Sequence, residues 1–205
     1  MTSIDSIKKY GLDNNIPIIE DQGLEVIISL IKEYNVNTLL EIGTAIGYSS
    51  LQLSINTGIN IVSIEREEHL YNIALQNIKD LECQNKISLL NEDALLLNTN
   101  QLGMFDCIYV DGAKSQYHKF LDKYINHLNK DGIIIFDNMN FHGFVFNEKV
   151  KEKSRNLQQL IKKIEKFRIY LDNNDTYKHI FINKGDGISV VMRKEDYEEV
   201  INSTT

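Results

Sequence analysis

Cysteine is scarce in this sequence. The two present, Cys83 and Cys107, form no C-x-x-C pair, so neither a disulfide framework nor a cysteine zinc site is expected. A reducing compartment, the cytoplasm, is the expected setting. The N-terminus, MTSIDSIKKYG, lacks the apolar core of a secretory signal. No apolar run approaches the length of a membrane span, so no membrane partner is expected. Positive charge is in deficit: 22 Lys and Arg stand against 29 Asp and Glu, a net charge of −7. The surface as a whole therefore does not attract nucleic acid, and any such contact needs a local patch. Repeats, low-complexity tracts and linkers are absent, and the sole proline is Pro17. What remains is 42% hydrophobic and 25% charged, as in ordinary globular chains, and long enough to bury a full core. A single domain over 1–205 is expected, with a helical cap over 1–35 and the core over 36–205.

Within that core, apolar β-rich runs alternate with helix-compatible stretches. The strand-like runs are Thr38–Ile42, 59–64, 87–90, Phe105–Val110 and 132–136. Helical spacing fits 49–56, 67–81, a short piece at 94–97, and 115–128. A helix over 21–34 precedes them. Repeated β-then-α predicts an α/β fold of mostly parallel strands with helices on both faces. Two last runs, Tyr177–Ile182 and Ile188–Arg193, flank AsnLysGlyAspGly and fit an antiparallel hairpin.

The stretch LLEIGTAIGYSS, residues 39–50, carries the most chemistry. An apolar run ends in Glu41, and Gly43 and Gly47 follow before a helix start. Glycines there let backbone N–H groups approach a ligand closely. A carboxylate beside the turn repels a pyrophosphate but accepts hydrogen bonds from an amine or hydroxyl. That favours S-adenosylmethionine (SAM), with its sulfonium and ammonium groups. The spacing E-x-G-x-x-x-G is not the dinucleotide G-x-G-x-x-G, and no G-K-[ST] follows.

Four further acids lie at or just past strand ends: Glu65, Asp93, Asp111 and Asp137. Each alone reads equally well as a helix cap. Together they point to the carboxyl edge of the sheet, where ligands bind in open α/β folds. Glu65 is placed to accept from a ribose diol, and Asp93 with Ala94 to face an adenine edge. Asp111, Asp137 and Asn138 form an all-oxygen set suited to Mg²⁺ or a similar hard cation. The plain alternative for Asp137-Asn138 is a turn pair. Lys114, near Asp111, is a candidate general base beside a cation.

Positive charge concentrates in one place. Residues 148–168 hold Lys149, Lys151, Lys153, Arg155, Lys162, Lys163, Lys166 and Arg168 against Glu148, Glu152 and Glu165. Their apolar positions, Leu157, Leu160, Ile161, Ile164 and Phe167, follow helical spacing. Either this is a solvated helix face or it contacts phosphates near the site.

The ordered segments LLEIGTAIGYSS, IVSIERE, NEDAL, FDCIYVDGAKSQY and GIIIFDNMNFHG resemble the motifs of class I SAM-dependent O-methyltransferases. More narrowly they resemble the metal-dependent catechol/caffeoyl-CoA type. NNIPIIEDQGLEVIISLIK and GDGISV are similar to bacterial tRNA 5-hydroxyuridine methyltransferases, which make 5-methoxyuridine at the wobble position. The resemblance runs from about Asn14 to Met192. It implies a Rossmann-like, mostly parallel seven-stranded sheet ending in an antiparallel hairpin, and a homodimer. It implies that Glu41, Gly43, Thr44, Gly47 and Ser49 hold the methionine end of SAM, with Asp111 also near the cofactor. It implies Glu65 on the ribose, Arg66 flanking the adenine, and Asp93 and Ala94 at the adenine edge. Asp111, Asp137 and Asn138 would hold the cation, and Lys114 and Asp111 would be catalytic. Gly112 replaces the family's usual alanine, and Ser115 a frequent small residue such as glycine. In the family a further helical segment precedes the part matching Ser3 and helps cover the site and the dimer interface.

Methyl transfer from a sulfonium is an in-line displacement that needs an aligned, activated oxygen. A wobble base is already single-stranded and can enter a pocket without melting a duplex. Phe141, Phe144 and Tyr117 are candidates to stack on it, with core packing as the alternative for each. The expected partner is thus the tRNA anticodon loop. The alternatives are a small catechol-like phenol as acceptor, or a SAM-fold interaction protein without turnover.

Overall fold

The computed structural model describes residues 2–196; the rest of the expected domain, residue 1 and residues 197–205, lies outside them. Helices α1 (Ile4–Asp13) and α2 (Asp21–Glu33) come first. Then β1 (Thr38–Ile42), α3 (Tyr48–Thr57), β2 (Asn60–Glu65), α4 (Glu68–Asp80), β3 (Ile87–Asn91) and β4 (Phe105–Val110) alternate. They are followed by α5 (Tyr117–Tyr124), β5 (Leu128–Phe136), α6 (Arg155–Asp172), β6 (Tyr177–Ile182) and β7 (Ile188–Arg193). The seven strands form one sheet in the order β3-β2-β1-β4-β5-β7-β6. The first five are parallel, and β7 runs antiparallel between β5 and β6.

Side-chain alternation along the strands builds two cores. Leu39, Cys107, Tyr109, Ile133 and Ile135 face α1–α4 on one side of the sheet. Leu40, Ile42, Ile108, Val110 and Ile134 face α5 and α6 on the other. Strands buried on both faces read as continuous apolar runs, which is why β1, β4 and β5 stand out in the sequence. Each fully buried Leu, Ile or Val stabilises the fold by about 1.5–3 kcal/mol.

Local signals set the helix ends. Ser3 and Ser6 form a reciprocal capping box at the start of α1, each hydroxyl accepting the other's backbone N–H. Ser154 caps α6 by accepting from Leu157 N. Gly58 ends α3 in the left-handed conformation.

Most boundaries agree with the sequence reading to within a residue; three elements differ by more. The 94–97 piece is a single turn, with Leu96 and Leu97 N–H both donating to the Asp93 carbonyl. The 115–128 stretch is helical only over α5, with 3₁₀ turns at Lys114–Gln116 and Ile125–His127. Strand β5 begins at Leu128 rather than 132, because the polar Asn129, Lys130 and Asp131 hide its start. Its pairing with β4 shifts register between Phe105 and Cys107.

One acid ties the amino ends of the strands together. Asp106 in β4 accepts from the backbone N–H groups of Asn37 and Thr38, the Thr38 hydroxyl and the Asn129 amide, at 2.7–3.1 Å. Burial opposes its ionisation, but these four donors outweigh it and hold the carboxyl below its ordinary range. A depressed carboxyl stabilises the fold above the ordinary carboxylate range, and that contribution disappears as pH falls through the lowered value. Asp106→Ala is expected to cost about 1–3 kcal/mol in urea unfolding at neutral pH. The gap to wild type should narrow in acid; a gap that stays constant down to the acid transition would contradict this role.

Candidate functional site

The registers place four strand tips on one edge. Ile42 pairs with Ile64 and with Val110, and Val110 pairs with Phe136. The residues that follow, Gly43, Glu65, Asp111 and Asp137, therefore share one row. The chain order reverses between β1 and β4, so this row lies at the topological switch point, where open α/β sheets bind ligands.

Gly43 makes the row tight. Its φ is +104°, and a Cβ there would lie 2.9 Å from the Asp111 carbonyl oxygen and 3.0 Å from Gly112 N. Both are backbone atoms, which cannot move aside cheaply. Gly47 also has positive φ, and a Cβ there would press on Ala74 at 3.3 Å. Between the glycines the turn is tied to β2. Gly43 and Thr44 N–H groups donate to the Ile64 carbonyl, and Ala45 N–H donates to Glu65 Oε2 at 2.8 Å.

Glu41 is enclosed. No part of it is exposed, and its carboxylate accepts from the hydroxyls of Ser49, Ser50 and Ser63. Thr44 shares the network through Ser63. Burial pushes the Glu41 carboxyl up, and the three hydroxyls oppose the shift. The sequence reading places Glu41 at the methionine end of SAM; in the structure its oxygens accept from β2 and the start of α3 beneath the turn.

Glu65 is also buried. Besides Ala45 it accepts from Glu67 N at 2.9 Å. A carboxylate has about four lone-pair sites, so acceptor capacity remains. Arg66 is exposed and pairs with Glu67. Asp93 accepts from Leu95 N at 2.7 Å, the capping arrangement, and the Ala94 carbonyl is held by the Tyr124 hydroxyl at 2.6 Å.

The second group lies across the switch point. Lys114 Nζ is 3.2 Å from Asp111 Oδ1, and both side chains are about one-fifth exposed. Burial pushes the Asp111 carboxyl up, and Lys114 opposes the shift. Asp137 is almost wholly buried. Burial and then the charge of Asp111 raise its carboxyl to about 7, against the Asn138 N–H, Lys114 and the Tyr109 hydroxyl. Tyr109 and Tyr117 hold this residue by their hydroxyls, at Oδ2 and the carbonyl. Asn138 sits in the left-handed region and donates its N–H to Asp137 Oδ1 at 2.6 Å. Among the described residues no three His, Cys, Asp or Glu side chains converge as a metal cluster. The local donor set is two carboxylates and one amide.

Some of these anchors were not picked out in the sequence. The loop after Asp137 holds Phe141, His142 and Phe146 at positive φ. The β6–β7 turn fastens it. Asp186 accepts from His142 N at its side chain and from Asn140 N at its carbonyl, and Gly187 O accepts from Met139 N. Arg168, counted in the basic run, instead reaches across to Met139 O and Asn140, with its guanidinium 3.8 Å over the Phe181 ring. GDGISV was the available signal for Asp186, but spacing alone assigned it no task. Tyr117 is core, packed on Phe136 and Phe167, so it is not free to stack on a ligand. Phe141 and Phe144 are half-buried.

Gly43→Ala is expected to lower stability by about 1–3 kcal/mol, read as a lower thermal midpoint. An unchanged midpoint would show that the β1 turn need not touch the β4 tip.

Known methyltransferases share this fold. The family profile of O-methyltransferases matches residues 4–194. Two relatives carry the name putative caffeoyl-CoA O-methyltransferase. One, from Arabidopsis thaliana, is 29% identical over 92% of this chain and 82% of its own. The other is a solved structure from Staphylococcus aureus, 33% identical with a TM-score of 0.86, covering 94% of this chain and 93% of that one. A third, the Arabidopsis thaliana tapetum-specific methyltransferase 1, is 26% identical over 92% of this chain and 82% of its own. The chain therefore belongs to the class I SAM-dependent O-methyltransferases of the caffeoyl-CoA O-methyltransferase type.

Proposed function

We propose that this chain converts 5-hydroxyuridine to 5-methoxyuridine at the tRNA wobble position, using SAM and a divalent cation. The observation that carries the reading is the meeting, on one edge, of the Gly43 turn and Glu65 with Asp111, Lys114, Asp137 and Asn138. Glu65 accepts from the ribose, and Glu41, Gly43, Thr44, Gly47 and Ser49 form the methionine end, Glu41 bracing it through Ser49 and Ser50. Asp93, Ala94 and Arg66 lie at the adenine end.

The donor set fits a hard cation. All its side-chain donors are oxygen, and Asp111 and Asp137 repel each other when both are ionised. Bound there by Asp111, Asp137 and Asn138, Mg²⁺ or a similar ion would lower the pKa of the acceptor hydroxyl. Lys114, held by Asp111, is placed to stabilise the oxyanion as an ammonium; to take up the hydroxyl proton it would first have to give its own to solvent and act as the free amine. Tyr109 and Tyr117 keep Asp137 in place. No covalent enzyme intermediate is needed.

Support for an RNA acceptor comes from residues 148–168. Lys153 lies 4.9 Å over the ring of Phe144 in the loop after Asp137, and Phe146 N is tied to Glu165 of α6 at 2.9 Å. Phe141 and Phe144 are the aromatic rings left for base stacking. A homodimer in the cytoplasm belongs to the same proposal and rests on the family resemblance and on the scarcity of cysteine. The names of the relatives favour a second reading, a small phenolic acceptor.

Asp137→Ala should cut metal-stimulated turnover by more than the about 10–100-fold seen when an outer partner of a metal site is lost. Calorimetry should show SAM affinity nearly unchanged; a large loss of SAM affinity would remove the metal role. Offered hypomodified tRNA and a catechol in parallel, the protein should methylate the tRNA, with 5-methoxyuridine found by nucleoside mass analysis. Turnover of the catechol alone would replace the RNA reading with the phenolic one.

A further inference from the structure

Next to Lys114 the surface opens into a cavity of about 320 Å³. Its walls come from the Lys114–Gln116 turn, the start of α5 and the outer face of α6. Four of its lining residues are lysines, Lys114, Lys119, Lys163 and Lys166, and none is an acid. Ser115 and Gln116 add a hydroxyl and an amide. Phe167, on the buried face of α6, also lines the cavity and packs that helix on the core.

Charge makes this cavity unusual for the molecule. The chain carries a net charge of −7, yet four lysines and no acid line this one cavity. Lys114 has Asp111 as its partner. Lys119, Lys163 and Lys166 are exposed, and among the described residues none of them has an ion-pair partner. Gathering like charges around a concavity is unfavourable unless an anion enters it. The volume lies at the low end for ligand pockets, about 300–1,000 Å³, enough for a phosphate with part of its sugar.

Lys114 links this cavity to the site. Its Nζ reaches Asp111 on the strand edge, while its side chain lines the cavity wall. A ligand with its reacting oxygen at Asp111, Asp137 and Asn138 therefore has the cavity one side chain away.

We infer that this cavity is a phosphate subsite for the methyl acceptor. Lys119, Lys163 and Lys166 take up the phosphodiester of the RNA strand beside the target nucleotide. The inference rests on the RNA reading above, but the phosphate chemistry has its own test. Lysine suits the task as a mobile point charge that follows a phosphate without demanding one planar geometry.

The test uses the full-length Lys163→Glu/Lys166→Glu variant, with Lys163→Gln/Lys166→Gln as the milder pair. An unchanged thermal midpoint and unchanged SAM affinity establish that the variants are folded. Fluorescence anisotropy then measures an anticodon stem-loop RNA across a salt series. Wild type should bind with steep salt dependence. The Gln pair should weaken binding at low salt by roughly tenfold and flatten the log–log salt slope by about 1.4, from two phosphate contacts at about 0.7 each on a single strand. The Glu pair should weaken it further. Folded variants with unchanged affinity and slope would overturn the inference. A second arm competes uridine 3′-monophosphate against uridine. If wild type ignores the RNA yet prefers the monophosphate, and the Gln pair loses that preference, the subsite stands and the tRNA reading fails. If wild type binds neither the RNA nor the monophosphate, the subsite itself is refuted.

Discussion

Parallel register is the constraint on which the candidate site depends. Because Ile42, Ile64, Val110 and Phe136 lie in one row, the residues that follow them emerge together. The close approach of Gly43 to the Asp111 backbone locks β1 against β4 at the point where the chain order reverses. A side chain at that glycine would push the β1 turn away from the β4 tip that carries Asp111. The α/β alternation, the two buried faces and the Asp106 tie at the opposite end all serve to keep that register.

Bringing acids to one edge creates an electrostatic problem, and the structure answers it three ways. Glu41 is surrounded by hydroxyls, so its charge is solvated from within. Glu65 accepts backbone N–H groups. Asp111 is paired with Lys114, whereas Asp137 feels that charge only at a distance; burial and the like charge of Asp111 outweigh it and the neutral donors, and the Asp137 carboxyl rises to about 7. Asp137 is thus the least compensated of the four and has the most to gain from a cation. The unpaired positive charge lies just outside, on α5 and α6. Positive charge on one side of an acidic centre makes the local field strongly uneven in a chain that is acidic as a whole.

The loop after Asp137 shows how geometry is held at a distance. Three of its non-glycine residues beyond Asn138 have positive φ, each a conformation that needs support from outside. Asp186 and Gly187 supply it from the β6–β7 turn, and Arg168 from α6. The antiparallel hairpin is therefore more than an edge to the sheet. It ties the β6–β7 turn to the segment that follows Asp137 and Asn138.

Much of the fold was legible in the sequence, because its signals are local. Strands β1, β4, β6 and β7 follow apolar runs bounded by polar or turn residues, and the five acids at the strand ends could be counted from the sequence. Elements whose ends are polar were less legible, and the early start of β5 is the clearest case. What only the tertiary structure decided is which partner each polar group meets. Ser63 and Ser50 turn Glu41 inward, Tyr109 and Tyr117 secure Asp137, Arg168 leaves the basic run to brace a loop, and three unpaired lysines close around one cavity. Periodicity along a chain reports which face a residue takes. It carries no information on what another strand or helix, distant in sequence, places opposite it.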